Sequence, residues 1–376
     1  MINVLLVCEF GNLNGAERSL LAVVDKLRGR INYSVIAPKQ GELITEFTRR
    51  RIPVYEMNWK LPCGQNKSLA ALREEFQFIL QCYVHNNGSD SEFLVHANSL
   101  SSSRMAGPVC QPLNIKSVGH IRDIIRLSRQ TISDLNCNTR LVCVSNAVKN
   151  YHVNQGLNSE KTRVIYNGVN LEQFCPAPLF NNGAEKTCLK IGCAGQISLR
   201  KGMDVFLAAA EIVERAEEKC VWEIAGARQS EKAETVELER NLLQRSALFP
   251  EERFRFAGQL PELSGWLRGL DIYVHTARQE PLGRVLLEAA ACALPIVATD
   301  VGGAREIFPA DFARNDKNPA AFLIPPNNPE ATAKAALQLI QNANLRNQLG
   351  FNARQEITNR FADSIAAENL LAFYEA

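Results

Sequence analysis

This sequence of 376 residues lacks several features, and each absence removes a class of protein. It holds no run of about 18 apolar residues, so no membrane-spanning helix is expected. The opening stretch, MINVLLVCEF, has no basic n-region and no cleavage site, so no signal peptide is expected either. The 11 cysteines are odd in number, scattered and without a C-x-x-C pair. That pattern predicts reduced thiols in a cytoplasmic setting, not a disulfide framework or a structural zinc site. There is no G-x-G-x-x-G, which leaves dinucleotide binding poorly supported. Fixed-period repeats and low-complexity tracts are missing. No basic stripe is interleaved with aromatics, so nucleic acid is not an expected partner.

What is present suits a soluble globular chain, with 46% hydrophobic and 22% charged residues. The length exceeds one comfortable core and predicts two domains. The net charge of +2 hides an asymmetry. Residues 1–170 carry 20 Lys+Arg against 13 Asp+Glu, a net of +7, and the remainder carries 22 against 27, a net of −5. The basic half, with clusters at Arg49–Arg51 and at Arg122, Arg126 and Arg129, suits an anionic surface or acceptor. Chance imbalance across solvated faces is the plainer alternative.

Apolar strand-like runs alternate with helical patterns throughout. INVLLVC, YSVIAP, FLVHAN and RLVCVS read as buried strands, each followed by helical or polar sequence. The segment at 170–187, with two prolines and no periodicity, reads as a linker. The alternation then resumes with CLKIGCAGQ, VWEIAGA, FRFAG, DIYVHT and PIVAT. This predicts an α/β chain of two doubly wound, Rossmann-like domains of parallel strands facing a central cleft. The expected limits are 1–169, a linker at 170–187, 188–355, and a C-terminal helix at 356–376 that packs back on the first domain. Ligands of such sheets bind at the carboxyl ends of the strands.

The stretch QEPLGRVLLEAAACALP places Glu280 just ahead of a helix start and Glu288 within the helix. The first-turn N–H groups around Leu282, Gly283 and Arg284 make an anion site, flanked by one carboxylate on each side. Gly15 and Ala16 open a second such helix in EFGNLNGAERSL. In AGQISLRKGMDVFLAAA, Arg200 and Lys201 precede a helix, where an ammonium can meet phosphate. Gly258 ends FRFAG and leaves backbone for a flat base. His96 and His120 each end an apolar run, where ligand groups point. Taken singly, each has a plain reading: a helix-dipole partner, a solvated loop pair, an ordinary turn, a structural histidine.

In order along nearly the whole chain, GAERSL, VIYNGVN, GQISLRKG, VHTARQEPLGRVLLEAAACALPIVATDVGGAREI and FLIPPNNPEATAKAALQLI resemble the motifs of the GT-B-fold retaining glycosyltransferases of family 4. The resemblance implies an acceptor-side first domain and a nucleotide-sugar donor domain at 188–355. It places Glu280 on the donor sugar's hydroxyls and Glu288 on the ribose. Lys201 and the Leu282–Arg284 amides would hold the diphosphate, Gly15 and Ala16 would lie under it, and His120 would sit by the anomeric side. His120, Glu280 and Lys201 would thus form the catalytic set. The family's phosphate-binding arginine is Gln196 here, and Arg200 is the nearby candidate to replace it.

The implied reaction is transfer of a hexosyl group from a nucleotide sugar with retained configuration. Uridine is the default base and guanosine the next. The acceptor is open among a glycan, a lipid-linked sugar and a small molecule. No metal and no cofactor are expected, and the chain has no Asp-x-Asp. A GT-B epimerase or phosphorylase and an inactive nucleotide-sugar-binding scaffold remain alternatives. The expected location is cytoplasmic, peripheral on the inner face of the membrane. The purified protein should accordingly bind anionic liposomes more than neutral ones, and less at high salt. Equal sedimentation with both would end that idea.

Overall fold

The computed structural model describes residues 2–61, 64–87, 92–177, 188–216, 218–250 and 253–376. The chain divides into two compact units, Met1–Gly168 with Asp363–Ala376, and Val169–Ala362. Within the expected linker, residues 178–187 lie outside the described residues.

The first unit is built on β1 (Ile2–Val7), β2 (Ile31–Ala37), β3 (Val54–Glu56), β4 (Phe93–Ala97), β5 (Lys116–Ile121), β6 (Arg140–Cys143) and β7 (Thr162–Val164). They form one sheet in the order β3-β2-β1-β4-β5-β6-β7, with every pairing parallel. Val4 and Leu6 of β1 belong to one apolar cluster, and Leu5 and Val7 to another. Alternate side chains of a strand point to opposite faces, so each face of this sheet has its own core. Both are covered by helices, which is why the β1 run is apolar without alternation.

The second unit holds β8 (Leu189–Ala194), β9 (Cys220–Ala225), β10 (Phe254–Gly258), β11 (Ile272–His275), β12 (Ile296–Thr299) and β13 (Phe322–Ile324). Their order is β10-β9-β8-β11-β12-β13, again all parallel. Trp222 and Phe206, both fully buried, meet edge to face within its core. Strand order reverses between β1 and β4 in one sheet and between β8 and β11 in the other. The crevice at such a reversal is where open α/β sheets take ligands.

The C-terminal helix Asp363–Glu375 packs on the first unit, beside helix Gly15–Lys26. Ala367, Leu370 and Leu371 enter the apolar cluster of Val4 and Leu6, and Lys26 pairs with Asp363 at 3.4 Å. Arg140 donates to the Phe373 carbonyl. This helix begins at Asp363, later than the expected 356. Residues 343–360 form a separate helix of the second unit. The break falls where Phe361 is buried and its carbonyl accepts from Val169 N at 2.9 Å, which draws the backbone out of helical geometry.

His96 of β4 and His120 of β5 are both buried in the first unit. Burial, then the Arg122 guanidinium, pulls His96 down to about 3. Burial, Arg122 and His96 hold His120 well below the ordinary histidine range. The folded state therefore takes up fewer protons than the unfolded chain. The stability this provides is complete above the unfolded value of about 6.5 and drains as pH falls below it. Burial raises Glu17 and acts in the opposite direction, so a difference between variants isolates the histidine effect. In denaturant titrations the wild type should lose about 2 kcal/mol more stability between pH 7 and pH 5 than His96→Asn. Equal losses would mean that His96 protonates while folded.

Candidate active site

In the second unit, β8 runs into the turn Leu199–Lys201 and the helix Met203–Arg215. β11 ends at His275 and continues through Glu280 into the helix Arg284–Ala291. The two loops are stitched together. Thr276 Oγ1 donates to the Gly202 carbonyl at 2.7 Å, and Arg278 spans to Asp204 at 2.9 and 2.6 Å. Gly202 has φ +66, and a Cβ there would meet the Thr276 carbonyl oxygen at 2.0 Å, so only glycine permits this approach.

That stitching brings Lys201 Nζ to within 2.5 Å of Glu280 Oε2, and His275 Nε2 lies 3.2 Å from the same oxygen. Glu280 and His275 are buried. Burial alone would raise the Glu280 carboxyl, but the Lys201 ammonium and His275 outweigh it and hold the acid well below its usual range. Burial keeps His275 neutral despite its carboxylate neighbour. An ionised Glu280 only accepts, so His275 donates from Nε2. Behind Glu280, its carbonyl accepts from Gly303 N at 3.0 Å. Gly302 has φ +52, and a Cβ there would lie 1.8 Å from that carbonyl oxygen.

Beyond Glu280, Leu282 is buried and Gly283 is the N-cap of helix Arg284–Ala291, with no side-chain cap. Helices Gly15–Lys26 and Met203–Arg215 also start without a side-chain cap, whereas Ser99, Ser128 and Ser145 cap theirs. Helices Glu42–Arg49 and Ala233–Ser246 are uncapped as well, so a missing cap alone marks no site. Glu288 is buried and accepts from Arg284 Nε at 2.7 Å, one turn away. Arg200 is exposed at the same loop pair and reaches the Gln279 carbonyl at 3.3 Å. Gln196 is half-buried at the end of β8, and its carbonyl accepts from Ser198 at 3.4 Å. Gly258 ends β10, and its carbonyl accepts from Gly226 N at 2.7 Å. Lys201, Glu280 and the helix start are thus gathered at the carboxyl ends of β8 and β11, at the sheet's reversal point.

Gly15, Ala16 and His120 belong to the first unit. Gly15 and Ala16 form the first turn of helix Gly15–Lys26. His120 Nδ1 lies 3.2 Å from His96 Nε2 and 3.1 Å from Arg122 Nη2. Its Nε2 is buried without a hydrogen-bond partner among the described residues. The ring lines a cavity with Ser19, His96, Arg122, Asn167 and Leu370. Arg122, read from sequence as part of a basic surface, is half-buried here. It donates to the Asn98 carbonyl at 3.0 Å, to Asn98 Oδ1 at 2.6 Å and to Asn167 Oδ1 at 2.9 Å.

Two residues of these networks, His275 and Arg122, were not read from sequence as site residues. His275 ends DIYVHT as His96 and His120 end their own runs, and the same logic would have found it. Arg122 gave no comparable signal. Of the other basic cluster, Arg50 pairs with Asp25, and Arg49 and Arg50 both pair with Glu46, so its positive field is partly cancelled. Among the described residues no group of three or more His, Cys, Asp or Glu side chains is gathered to hold a metal ion, and no helix is long and apolar enough to cross a membrane.

Two family models match the chain. The one described as Glycosyltransferase Family 4 covers residues 13–173, and the one described as Glycosyl transferases group 1 covers residues 179–356. The chain is 29% identical over 238 residues to the gpi3 subunit of phosphatidylinositol N-acetylglucosaminyltransferase from Schizosaccharomyces pombe, covering 61% of this chain and 49% of that protein. It is 28% identical over 234 residues to a D-inositol 3-phosphate glycosyltransferase of Streptomyces bingchenggensis, covering 59% and 49%. The match thus spans about half the length of these curated relatives. Among solved structures, HepE of Anabaena in complex with UDP and glucose aligns over 100% of both chains with a TM-score of 0.81 at 20% identity. A sucrose-phosphate synthase from Thermosynechococcus elongatus aligns with a TM-score of 0.77 at 17% identity, over 100% of this chain and 98% of its own. At those identities the likeness is one of fold. Because each half of its length is matched by a glycosyltransferase family model, and its two doubly wound sheets match solved glycosyltransferases of that architecture, the chain belongs to the family 4 glycosyltransferases and has the GT-B fold.

Proposed function

We propose that the chain is a retaining, metal-independent glycosyltransferase that moves a hexosyl group from a nucleotide sugar to a glycan, lipid-linked or small-molecule acceptor. The observation that carries this reading is the pair of half-buried Lys201 and buried Glu280 beside the start of helix Arg284–Ala291. Breaking an anomeric C–O bond leaves a cation-like sugar and an anionic diphosphate. The first-turn amides of that helix and the Lys201 ammonium supply positive potential where the leaving charge grows. Lys201 has three donor hydrogens and can keep Glu280 while meeting phosphate. Glu280 is the acceptor for the sugar's hydroxyls. A carboxylate tied to an ammonium and to His275 is a poor nucleophile, so its role is positioning, and the leaving-group charge is met without a metal.

Uridine is the proposed base. HepE, the 20% identical structural neighbour, was solved with UDP and glucose. Glu288 is assigned to the ribose hydroxyls, and Gly258 to the edge of the base. Gln196 and Arg200 are assigned to the diphosphate, with Arg200 offsetting the charge that Gln196 lacks. Gly15 and Ala16 would contribute amides from the first unit, and His120 a hydrogen bond to the sugar. Peripheral contact with an anionic membrane on its cytoplasmic face belongs to this proposal, because the first unit carries the net positive charge.

Calorimetry with UDP, GDP and ADP in the presence of EDTA tests the donor site. UDP should bind best, and Lys201→Ala and Glu288→Ala should each weaken it by about tenfold or more, the worth of a hydrogen bond to a charged group. Binding that appears only when a divalent metal is restored would remove metal independence. The reaction type is read from the product. With a competent acceptor and UDP-sugar, proton NMR of the first-formed glycoside should show the donor's anomeric configuration. An inverted product would rule out retention. An altered nucleotide sugar or a sugar phosphate would identify an epimerase or a phosphorylase.

A further inference from the structure

His120 sits at the end of a chain of three rings that begins far away in sequence. The Tyr374 hydroxyl, on the C-terminal helix, meets His96 Nδ1. His96 Nε2 lies 3.2 Å from His120 Nδ1, and Arg122 Nη2 lies 3.1 Å from that same nitrogen. His96 is fully buried and His120 nearly so.

The proton positions follow from one group that cannot change role. A guanidinium only donates. His120 Nδ1 must therefore accept from Arg122, and it carries no proton. His96 Nε2 faces the same lone-pair nitrogen and must also donate. A neutral His96 then has a bare Nδ1, which accepts from the Tyr374 hydroxyl. The remaining proton of His120 is on Nε2, the buried atom with no partner among the described residues. The reverse assignment, with His96 Nδ1–H donating to Tyr374, leaves His96 Nε2 bare, so that it either opposes its lone pair to that of His120 Nδ1 or takes a proton from a His120 Nδ1–H set against the Arg122 N–H. A doubly protonated His96 would meet the same geometry, but burial and Arg122 keep that ring neutral to about pH 3.

We propose that Arg122 and His96 are positioning residues that lock His120 in the Nε2–H tautomer, with Tyr374 holding the His96 ring, so that His120 presents a neutral N–H donor to a ligand oxygen and does not act as a base. The functional part of this inference rests on the assignment of His120 to the donor sugar made above. The lock itself does not. Tyr374 is held in place by its own helix. Arg140 fixes the neighbouring Phe373 carbonyl, and Leu370 and Leu371 bury that helix in the core of the first unit. Arg122 is held in turn by Asn98 and Asn167, so the direction of donation into His120 is set from two sides.

Long-range 1H–15N correlation spectra of protein labelled at its five histidines read the tautomer directly, without substrate. Wild-type His120 should show a pyrrole-type Nε2 and a pyridine-type Nδ1. In Tyr374→Phe the guanidinium remains and His120 should keep its Nε2–H form, whereas in Arg122→Leu its Nδ1 loses the fixed donor and both rings should show mixed tautomers. Turnover should fall about threefold to tenfold, the worth of one neutral hydrogen bond, with UDP affinity within about twofold of wild type. A protonated Nδ1 in wild-type His120 would overturn the lock, whatever the variant does. A mixed His120 tautomer in Tyr374→Phe, with Arg122 still in place, would mean that the guanidinium does not set the lock. In Arg122→Leu, mixed tautomers with unchanged turnover would uphold the lock and count against the assignment of His120 to the sugar.

Discussion

The second unit's site depends on a single buried contact between opposite charges. Lys201 and Glu280 are 79 positions apart in the chain and meet at 2.5 Å in a place with little access to water. A buried charge without a partner is costly, and removing Lys201 would leave the Glu280 carboxylate with only the neutral His275 N–H. The contact is also a geometric tie, because each residue ends the loop that follows one of the two central strands of its sheet. The loops must close on one another for the charges to meet. Gly202 and the Arg278–Asp204 bridge are what allow and hold that closure. The pair therefore fixes the start of helix Arg284–Ala291 relative to β8, and with it the first-turn amides of that helix.

The two units share a topology and use it in opposite electrostatic ways. At the reversal point of the second sheet, full charges are paired and kept. In the first unit, on β4, β5 and the C-terminal helix, three rings and a guanidinium form a network in which histidines are held neutral. Burial is similar in both. The difference lies in the partner: an acid beside an ammonium stays ionised, whereas a histidine beside a guanidinium cannot afford a proton. The same topology thus carries an ion pair on the loops of one unit and neutral histidines beside a guanidinium on the strands of the other.

Much of this was legible in the residues. Continuous apolar runs such as INVLLVC could only be strands buried on both faces, and their alternation with helical periods fixed the parallel, doubly wound class. The position of Glu280 ahead of a helix and of Glu288 within it followed from Pro281 and the spacing of Val285, Leu286 and Ala289. The three-residue strands β3, β7 and β13 were not legible, because three residues carry no period. Contacts between distant segments were hidden too. Tyr374 read only as part of an amphipathic helix, since its partner His96 lies 278 positions earlier. Arg122 read as surface charge, since nothing local marks a guanidinium that will be wrapped by two asparagines.

The C-terminal helix gives the chain an unusual order of assembly. Asp363–Glu375 completes an apolar core otherwise drawn from residues of the first unit, yet a ribosome makes it only after all of Val169–Ala362. The unit that begins first is therefore finished last. During synthesis its sheet waits with Val4, Leu6 and Leu20 short of their final cover, while the later-made unit already has every segment of its own core. A chain stalled before Asp363 would carry one finished unit and one open apolar face, the kind of surface that chaperones hold and proteases sample.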